Sequence, residues 1–442
     1  IDSLRENYNA LKRKLTAEVE YEDAATGLIR ANGSQAGNSA IIDWPTSERD
    51  GYQSSYYDVV FNAEYVGIYL DMAVLSEALG ETADAQYYTQ KSEKLKESLL
   101  KYAYDEQNGC FYDSLDQNYN ATKHSSTHAT AYALCYGVFD SQSMADDMCE
   151  FVYNQCKEEF KGSVYVTYFI LKGLYNGNHG EYAEKLMTNP KVGENVKTFA
   201  SLLDDLHCTI TPEAWGHKWK GNMTMSHPWG AAPGCSIVQG TFGILPTKAG
   251  FEEFDIKIQP GDIASAEVKA PTVKGAVEVS YSDADKENAL VADVTIPANT
   301  KAKVYMPVTN KNLGYLLIDK EKTEAVNNGS YLFVELGSGS YHIEISDEET
   351  EYKPHLTVKA NAEKTELYTE ETTAISAGVT DQFGDKITKE DGLTLTYESA
   401  DENILTVDKD GAVTAVSEGA AAVTVTAEYM GEKASASVDF HV

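Results

Sequence analysis

The hydrophobic positions of this chain change period near residue 246. Before that point they recur at steps of three and four. Leu4, Tyr8, Leu11 and Leu15 mark one stripe, and Phe61, Tyr65, Ile68, Met72, Leu75 and Leu79 mark a second. Such steps return side chains to one face of a helix, and Gly80 supplies a stop. The next helix is expected to be capped by Asp84 and to bury Tyr88, Leu95, Leu99 and Tyr102. Further helical patterns fall near 126–138, 141–156, 163–176, 180–188, 195–205 and 229–241. Paired helices joined by long loops rich in aromatic and polar residues, such as 43–57 and 207–228, predict an α/α toroid. The pattern yields eight or nine helices where a six-hairpin toroid has twelve, so the toroid is expected to be incomplete in this chain.

Beyond 246 the apolar residues alternate. Phe254, Ile256 and Ile258 are separated by Asp255 and Lys257; Val277, Val279 and Tyr281 follow the same period, as do Val304 and Met306. Alternation is the mark of half-buried strands, so 247–347 is expected to be a β-sandwich. An acidic stretch, Ser346–Tyr352, precedes Pro354 and reads as a linker. Then Val423/Val425 and Ala434/Ala436/Val438/Phe440 alternate again. About seven short strands in this length predict an immunoglobulin-like sandwich over 354–442. Within it, Asp408-Lys409-Asp410-Gly411 reads as a hairpin turn rather than a calcium loop, because the other oxygen ligands of such a loop are missing. The three expected domains are therefore 1–246, 247–347 and 354–442.

Composition narrows the partners. The chain has 442 residues and a formal charge of −33, which disfavours nucleic acid and anionic lipid surfaces. No unbroken apolar run reaches membrane-spanning length, so no membrane span is expected. The six Cys contain no CxxC. Cys149 and Cys156 share a helical face roughly 10 Å apart, too far to bridge, and the Cys are read as free and mostly buried. The chain begins at Ile1 without a leader pattern, so it is expected to be a piece of a longer precursor.

The candidate chemistry concentrates in TITPEAWGHKWKGNMTMSHPWGAAPG, residues 209–234. This stretch holds three of the four Trp (Trp215, Trp219 and Trp229), His217, His227 and a single carboxylate, Glu213. Sugar rings stack on indole faces, and glycoside hydrolysis needs carboxyl groups. Aromatic surroundings are expected to raise the Glu213 pKa by reducing its solvation. His227 precedes Pro228, so it should stand just before a helix start. Trp229 is read as pocket wall or core, with neither favoured. In DWPTSERDGY, residues 43–52, Trp44 is a stacking candidate, Arg49 and Asp50 either bond sugar hydroxyls or pair with each other structurally, and Asp43 shares their loop. His124 and His128 have metal-compatible spacing but no acidic third ligand. Capping by Ser125 or Ser126 and a buried His are the favoured reading there, and no metal or organic cofactor is expected.

Four strings occur in a recognisable order: DWPTSERDGY, HSSTHATAYAL, TITPEAWG and SHPWGAAPG, followed by GTFGILPTKAGFEEFDIKIQP. Together they resemble glycoside hydrolase family 78, the α-L-rhamnosidases, over about residues 1–282. The terminal NILTVDKDGAVTAVSEGAAAVTVTA resembles bacterial Ig-like repeats. The first resemblance implies an (α/α)6 barrel and an inverting reaction. It implies Glu213 as general base, His227 and Trp44 as residues of the sugar subsite, and Asp43, Arg49, Asp50 and Trp215 as lesser contacts. It also implies a general acid in an Arg-Asp-Glu-containing motif, which is absent before residue 43; ERDGY at 48–52 falls in the sugar-lining loop instead. The acid is therefore expected upstream, in a portion that completes the barrel.

The reading is a secreted or cell-surface bacterial enzyme that releases α-L-rhamnose from plant glycosides or polysaccharides. This chain would hold the general-base half of its site. The alternatives are another α/α-barrel glycosidase, for example one directed at uronic acids, and a non-catalytic carbohydrate-binding or adhesion protein.

Overall fold

A computed structural model describes residues 2–18, 21–30, 41–283, 290–349, 354–362 and 364–442. The chain divides into two compact units, Ile1–Met306 with Glu335–Glu344, and Pro307–Val334 with Ile345–Val442.

Among the described residues the first unit opens with nine α-helices: α1 Asp2–Glu18, α2 Val59–Leu79, α3 Thr82–Ala103, α4 Thr127–Cys135, α5 Gln142–Cys156, α6 Thr167–Asn176, α7 Gly180–Met187, α8 Phe199–Asp204 and α9 Ala232–Ser236. Gly80 ends α2 with φ 77°, a left-handed stop that glycine adopts without a Cβ penalty. Asp84 does not cap α3, whose N-cap is Glu81. Its carboxylate instead receives the Tyr8 hydroxyl and the Lys12 ammonium, which ties α1 to the α2–α3 hairpin. Ser126 caps α4 by accepting the Ala129 amide, as expected.

All nine residues of α4 are buried, between neighbours on α2, α5 and α6. Tyr132 stacks on Phe169 with ring centroids 4.1 Å apart. The α4–α6 crossing is close because residue 173 is glycine: a Cβ there would lie 2.9 Å from the Ala131 carbonyl oxygen. Contrary to the expectation of no membrane span, α2 has the length and hydropathy of one. In the structure Val59, Val60, Ala63, Val66, Met72 and Leu79 of α2 are buried in the helical core. A core helix that is apolar on most sides has the same composition.

The hairpins α2–α3, α4–α5 and α6–α7 have short connections. The long ones, 104–126, 157–166 and 188–231, therefore collect at the opposite end of the bundle, where α2, α4 and α6 begin. The segment before α2 joins them there: Asp50 Oδ2 accepts the Thr127 amide at 3.0 Å, and Ser163 donates its amide to Asp43 Oδ2 at 2.8 Å. At the other end, the α6–α7 turn meets the first β-sheet residues. Gln259 Nε2 donates to the Tyr175 carbonyl at 3.1 Å, and Lys257 donates to the Asn178 side chain.

In the same unit Glu253–Lys257 pairs parallel with Lys301–Pro307, and Ser265–Thr272, Gly275–Asp283, Leu290–Ile296 and Gly339–Ile345 form an antiparallel run. Val277, Val279, Tyr281, Val294 and Ile296 point inward, which is the alternation seen in the sequence.

The second unit contains two small antiparallel pairs, Tyr315–Ile318 with Glu321–Glu324 and Val326–Asn327 with Tyr331–Leu336. Its larger part is a sandwich of a four-stranded and a three-stranded sheet spanning 357–441. Leu367, Ile375, Leu405, Val413, Val423, Val425 and Phe440 fill its core. The segment 408–411 is the expected hairpin turn, with Gly411 at φ 85° donating to the Asp408 carbonyl. All six cysteines are free; five are buried and Cys235 is exposed.

Candidate functional site

The residues 209–230 fold back on themselves beside the starts of α6 and α9. Two backbone pairs close the loop: the Glu213 amide donates to the Thr224 carbonyl at 2.9 Å, and the His227 amide donates to the Thr211 carbonyl at 2.8 Å. Pro228 opens a single 3₁₀ turn with His227 as its N-cap residue, as the sequence predicts. This register places Glu213, Thr224, His227 and Trp229 together.

Glu213 keeps 13% of its side chain exposed. Its Oε2 accepts the Thr224 amide at 2.9 Å and the Thr224 hydroxyl at 3.3 Å, while Lys220 Nζ lies 3.1 Å from Oε1. The expectation of a raised pKa is overturned. The Thr224 amide and, with it, the Lys220 ammonium hold the carboxyl below its ordinary range. Hydrogen bonds donated to a carboxylate stabilise its charged form more than partial burial destabilises it. The group is thus kept ionised, the state in which it accepts a proton.

The Thr224 hydroxyl also lies 3.3 Å from His227 Nδ1. One hydroxyl proton cannot serve both neighbours. When it goes to Glu213, Nδ1–H must donate to Thr224, and Nε2 is left as an acceptor. Among the described residues nothing bonds His227 Nε2, which is therefore open to a ligand hydroxyl. Trp229 is both wall and clasp. Its ring sits 4.6 Å from the His227 ring and 5.3 Å from the Tyr165 ring, and its Nε1 donates to the Glu213 carbonyl at 2.8 Å.

The other predicted contacts separate into two groups. Trp44 is 54% exposed at the loop end of the bundle, and no ring among the described residues stacks on it. Trp215, Asp43 and Asp50 are corrected from ligand contacts to structural groups. Trp215 is 2% exposed, stacks on Phe160 at 5.6 Å and donates Nε1 to the Gly162 carbonyl at 2.8 Å, so it offers no face to a sugar. Asp43 is fully buried, and its carboxylate accepts the Trp44 amide, the Ser163 amide and hydroxyl, and faces His128 Nε2 at 3.0 Å. It fixes the backbone that presents Trp44. Asp50 spends its carboxylate on the amide and hydroxyl of Thr127 in the first turn of α4. Arg49 donates Nε to the Asp43 carbonyl at 2.9 Å and braces the same loop.

His124 and His128 are engaged separately, by Asp113 at 2.5 Å and by Asp43. No group of three or more His, Cys, Asp or Glu among the described residues is placed to hold a metal.

Several site residues escaped the sequence reading. Thr224 and Lys220 lie in the right stretch, but nothing in their spacing marks them as partners of Glu213. Lys197 is another: its buried ammonium is 2.5 Å from Glu48 and 3.9 Å from the indole centroid of the half-buried Trp219, the third Trp of the candidate stretch. Glu64 is a half-buried carboxyl on α2, pushed up by burial to about 7, and its charge is felt by Tyr132 and Tyr165. An α2 stripe read only for apolar spacing hides it.

A helical bundle with its long loops at one end, and an ionised Glu beside His and Trp there, defines a glycosidase-like architecture. The family model for the bacterial alpha-L-rhamnosidase 6 hairpin glycosidase domain matches residues 1–234, more than half of the chain. The chain belongs to that family. The bacterial alpha-L-rhamnosidase C-terminal domain matches residues 243–316 and the bacterial Ig-like domain (group 2) residues 368–438.

Among solved structures, the α-L-rhamnosidase from Dictyoglumus thermophilum is similar at 17% identity and TM-score 0.56, over 78% of this chain and 37% of that one. The Streptomyces avermitilis α-L-rhamnosidase complexed with L-rhamnose is similar at 18% identity and TM-score 0.57, over 78% of this chain and 31% of that one. At these identities the likeness is one of fold, and the chain spans about a third of the length of either structure. None of the curated proteins matches the chain.

Proposed function

We propose that this chain carries the water-activating half of an inverting α-L-rhamnosidase site. The observation that supports this most is the ionised Glu213, held by Thr224 and Lys220 beside the open Nε2 of His227. In an inverting reaction water attacks the anomeric carbon from the face opposite the leaving group. Glu213 accepts the water proton as the C–O bond to the leaving group breaks, and a second carboxylic acid protonates the departing oxygen. His227 and Trp44 hold the sugar, and Trp229 walls the pocket.

The second carboxylic acid is assigned to polypeptide upstream of this chain, which would also complete the barrel. Two carboxylates of the 43–50 loop, Asp43 and Asp50, are spent on structural bonds, and Glu48 is paired with Lys197. The domain division 1–246, 247–347 and 354–442 and a secreted or cell-surface location belong to the same proposal, with rhamnosylated plant glycosides or polysaccharides as substrate.

The test is a panel of aryl glycosides offered to the full-length protein. Release from the α-L-rhamnoside, with β-L-rhamnose as the first product by NMR, is expected. Cleavage of a uronide or another sugar with the α-rhamnoside left intact would overturn the assignment.

A further inference from the structure

The 104–126 connection does more than join α3 to α4. With the end of α3 it encloses a groove of about 700 Å³ that shares no residue with the Glu213 cluster. Tyr102, Tyr104, Tyr112 and Tyr119 all line it and none is fully buried. Tyr102 and Tyr119 form a pair with ring centroids 5.1 Å apart.

Two exposed ammonium groups hang over these rings. Lys101 Nζ is 4.9 Å from the Tyr102 centroid and Lys123 Nζ is 4.6 Å from the Tyr112 centroid. In a chain with 69 acidic and 36 basic residues, most lysines have an acidic neighbour to choose from. Neither of these two pairs with a described carboxylate. Both rest instead on aromatic faces, where they have spare donors.

The walls are built rather than loose. Tyr119 donates its hydroxyl to Asp23 at 3.0 Å. Asp116 accepts the Asn118 and Asn120 amides and the Asn120 side-chain amide, which closes the loop at the rim. Tyr119 and Lys123 adopt φ of 63° and 62°, a left-handed conformation that residues with a Cβ take only when their surroundings enforce it.

Tyrosine faces with ammonium donors over them match the alternating apolar C–H faces and hydroxyl edges of a pyranose chain. The local charge is balanced, since Lys101, Lys123, Asp105 and Glu106 all line the same groove. The chain as a whole carries −33, which opposes a polyanion. We propose that this groove is a second carbohydrate site that binds a neutral pyranose chain, separately from the Glu213 pocket. This goes beyond the hydrolytic assignment and stands without it. Such a site would hold a polysaccharide at the loop end of the bundle, where the Glu213 cluster also lies.

The test uses the full-length protein bearing Glu213→Gln, titrated calorimetrically with cello-oligosaccharides, oligorhamnose and oligogalacturonate in excess free L-rhamnose. Binding of a neutral oligosaccharide is expected to persist under rhamnose. It should weaken roughly tenfold on Tyr102→Ala or Tyr112→Ala, the scale of one lost aromatic contact. Lys123→Gln and Lys101→Gln change exposed groups at the rim and should weaken it severalfold with unaltered melting. The proposal is overturned by no binding of the neutral probes, by binding of oligogalacturonate alone, by loss of binding under rhamnose, or by affinities unchanged in all four variants. Failure of the Glu213 assignment would show as surviving hydrolysis in Glu213→Gln and leaves this titration unaffected.

Discussion

Thr224 holds Glu213 Oε2 twice, through its amide at 2.9 Å and its hydroxyl at 3.3 Å. The same hydroxyl reaches His227 Nδ1 at 3.3 Å. A carboxylate that receives donors on one oxygen and an ammonium at 3.1 Å on the other stays charged to lower pH than a free one. The sign matters for mechanism: this environment suits a base and works against a proton donor.

Removing the ammonium should therefore be visible in the pH profile. In Lys220→Met the Glu213 pKa rises, so the acid limb of kcat/KM of the full-length protein moves to higher pH. Activity should fall most on the acid side. An acid limb that stays in place would separate Lys220 from the essential base.

Trp44 and Trp215 should part company on substitution. Trp44 is 54% exposed, so Trp44→Ala is expected to raise KM with little change in the unfolding midpoint. Trp215 is 2% exposed and bonded to Gly162, and Trp215→Ala should cost about 3–5 kcal/mol of stability. Calorimetric melts and KM measured together decide it; equal effects of the two changes on KM and on stability would contradict the division.

Asp43 is a second stability test. Asp43→Ala leaves the buried His128 Nε2 and the Ser163 amide and hydroxyl without their acceptor. Breaking a buried polar network by removing one partner costs about 3–5 kcal/mol. Urea unfolding should show that loss, together with a raised KM as Trp44 loses its support. An unchanged midpoint would mean the network is dispensable.

Glu64 gives a pH dependence of the opposite sense to Glu213. Burial raises its pKa from 4.5 to about 7, so the folded state prefers the protonated form. The stability this brings is complete below pH 4.5 and is lost as pH rises through 7. Glu64→Gln should therefore match the parent near pH 4 and exceed it at pH 8, by at most on the order of 3 kcal/mol. Denaturant midpoints at the two pH values are the readout. A variant less stable than the parent at pH 8 would refute the sign.

Periodicity made the elements legible in the sequence, though not every buried position: Ile68 of the α2 stripe is exposed, while Val60 and Val66 outside it are buried. The stripe from Phe61 to Leu79 becomes α2, and the alternation at Val277, Val279 and Tyr281 becomes an inward sheet face. Glu213, His227 and Trp229 stood out by residue type in one stretch, but what brings them together is the pairing of Glu213 with Thr224 and of His227 with Thr211. Residue type alone, however, did not separate Trp44 from Trp215: an indole stacks equally well on a sugar or on Phe160. Nor did it give the direction of the Glu213 shift. That depends on Thr224, eleven positions away, presenting its amide across a turn that no local pattern announces. Asp84 was misread as a cap because its true partners, Tyr8 and Lys12, come from a helix more than seventy residues earlier.

The most direct measurement is kcat for aryl α-L-rhamnoside hydrolysis by the full-length protein carrying Glu213→Gln. Gln keeps the size and the bond from the Thr224 amide but cannot take a proton. The account predicts a fall in kcat of about 10²–10⁴-fold, with L-rhamnose still bound at the parent affinity. Retention of most of kcat would contradict it and remove Glu213 from the role of general base.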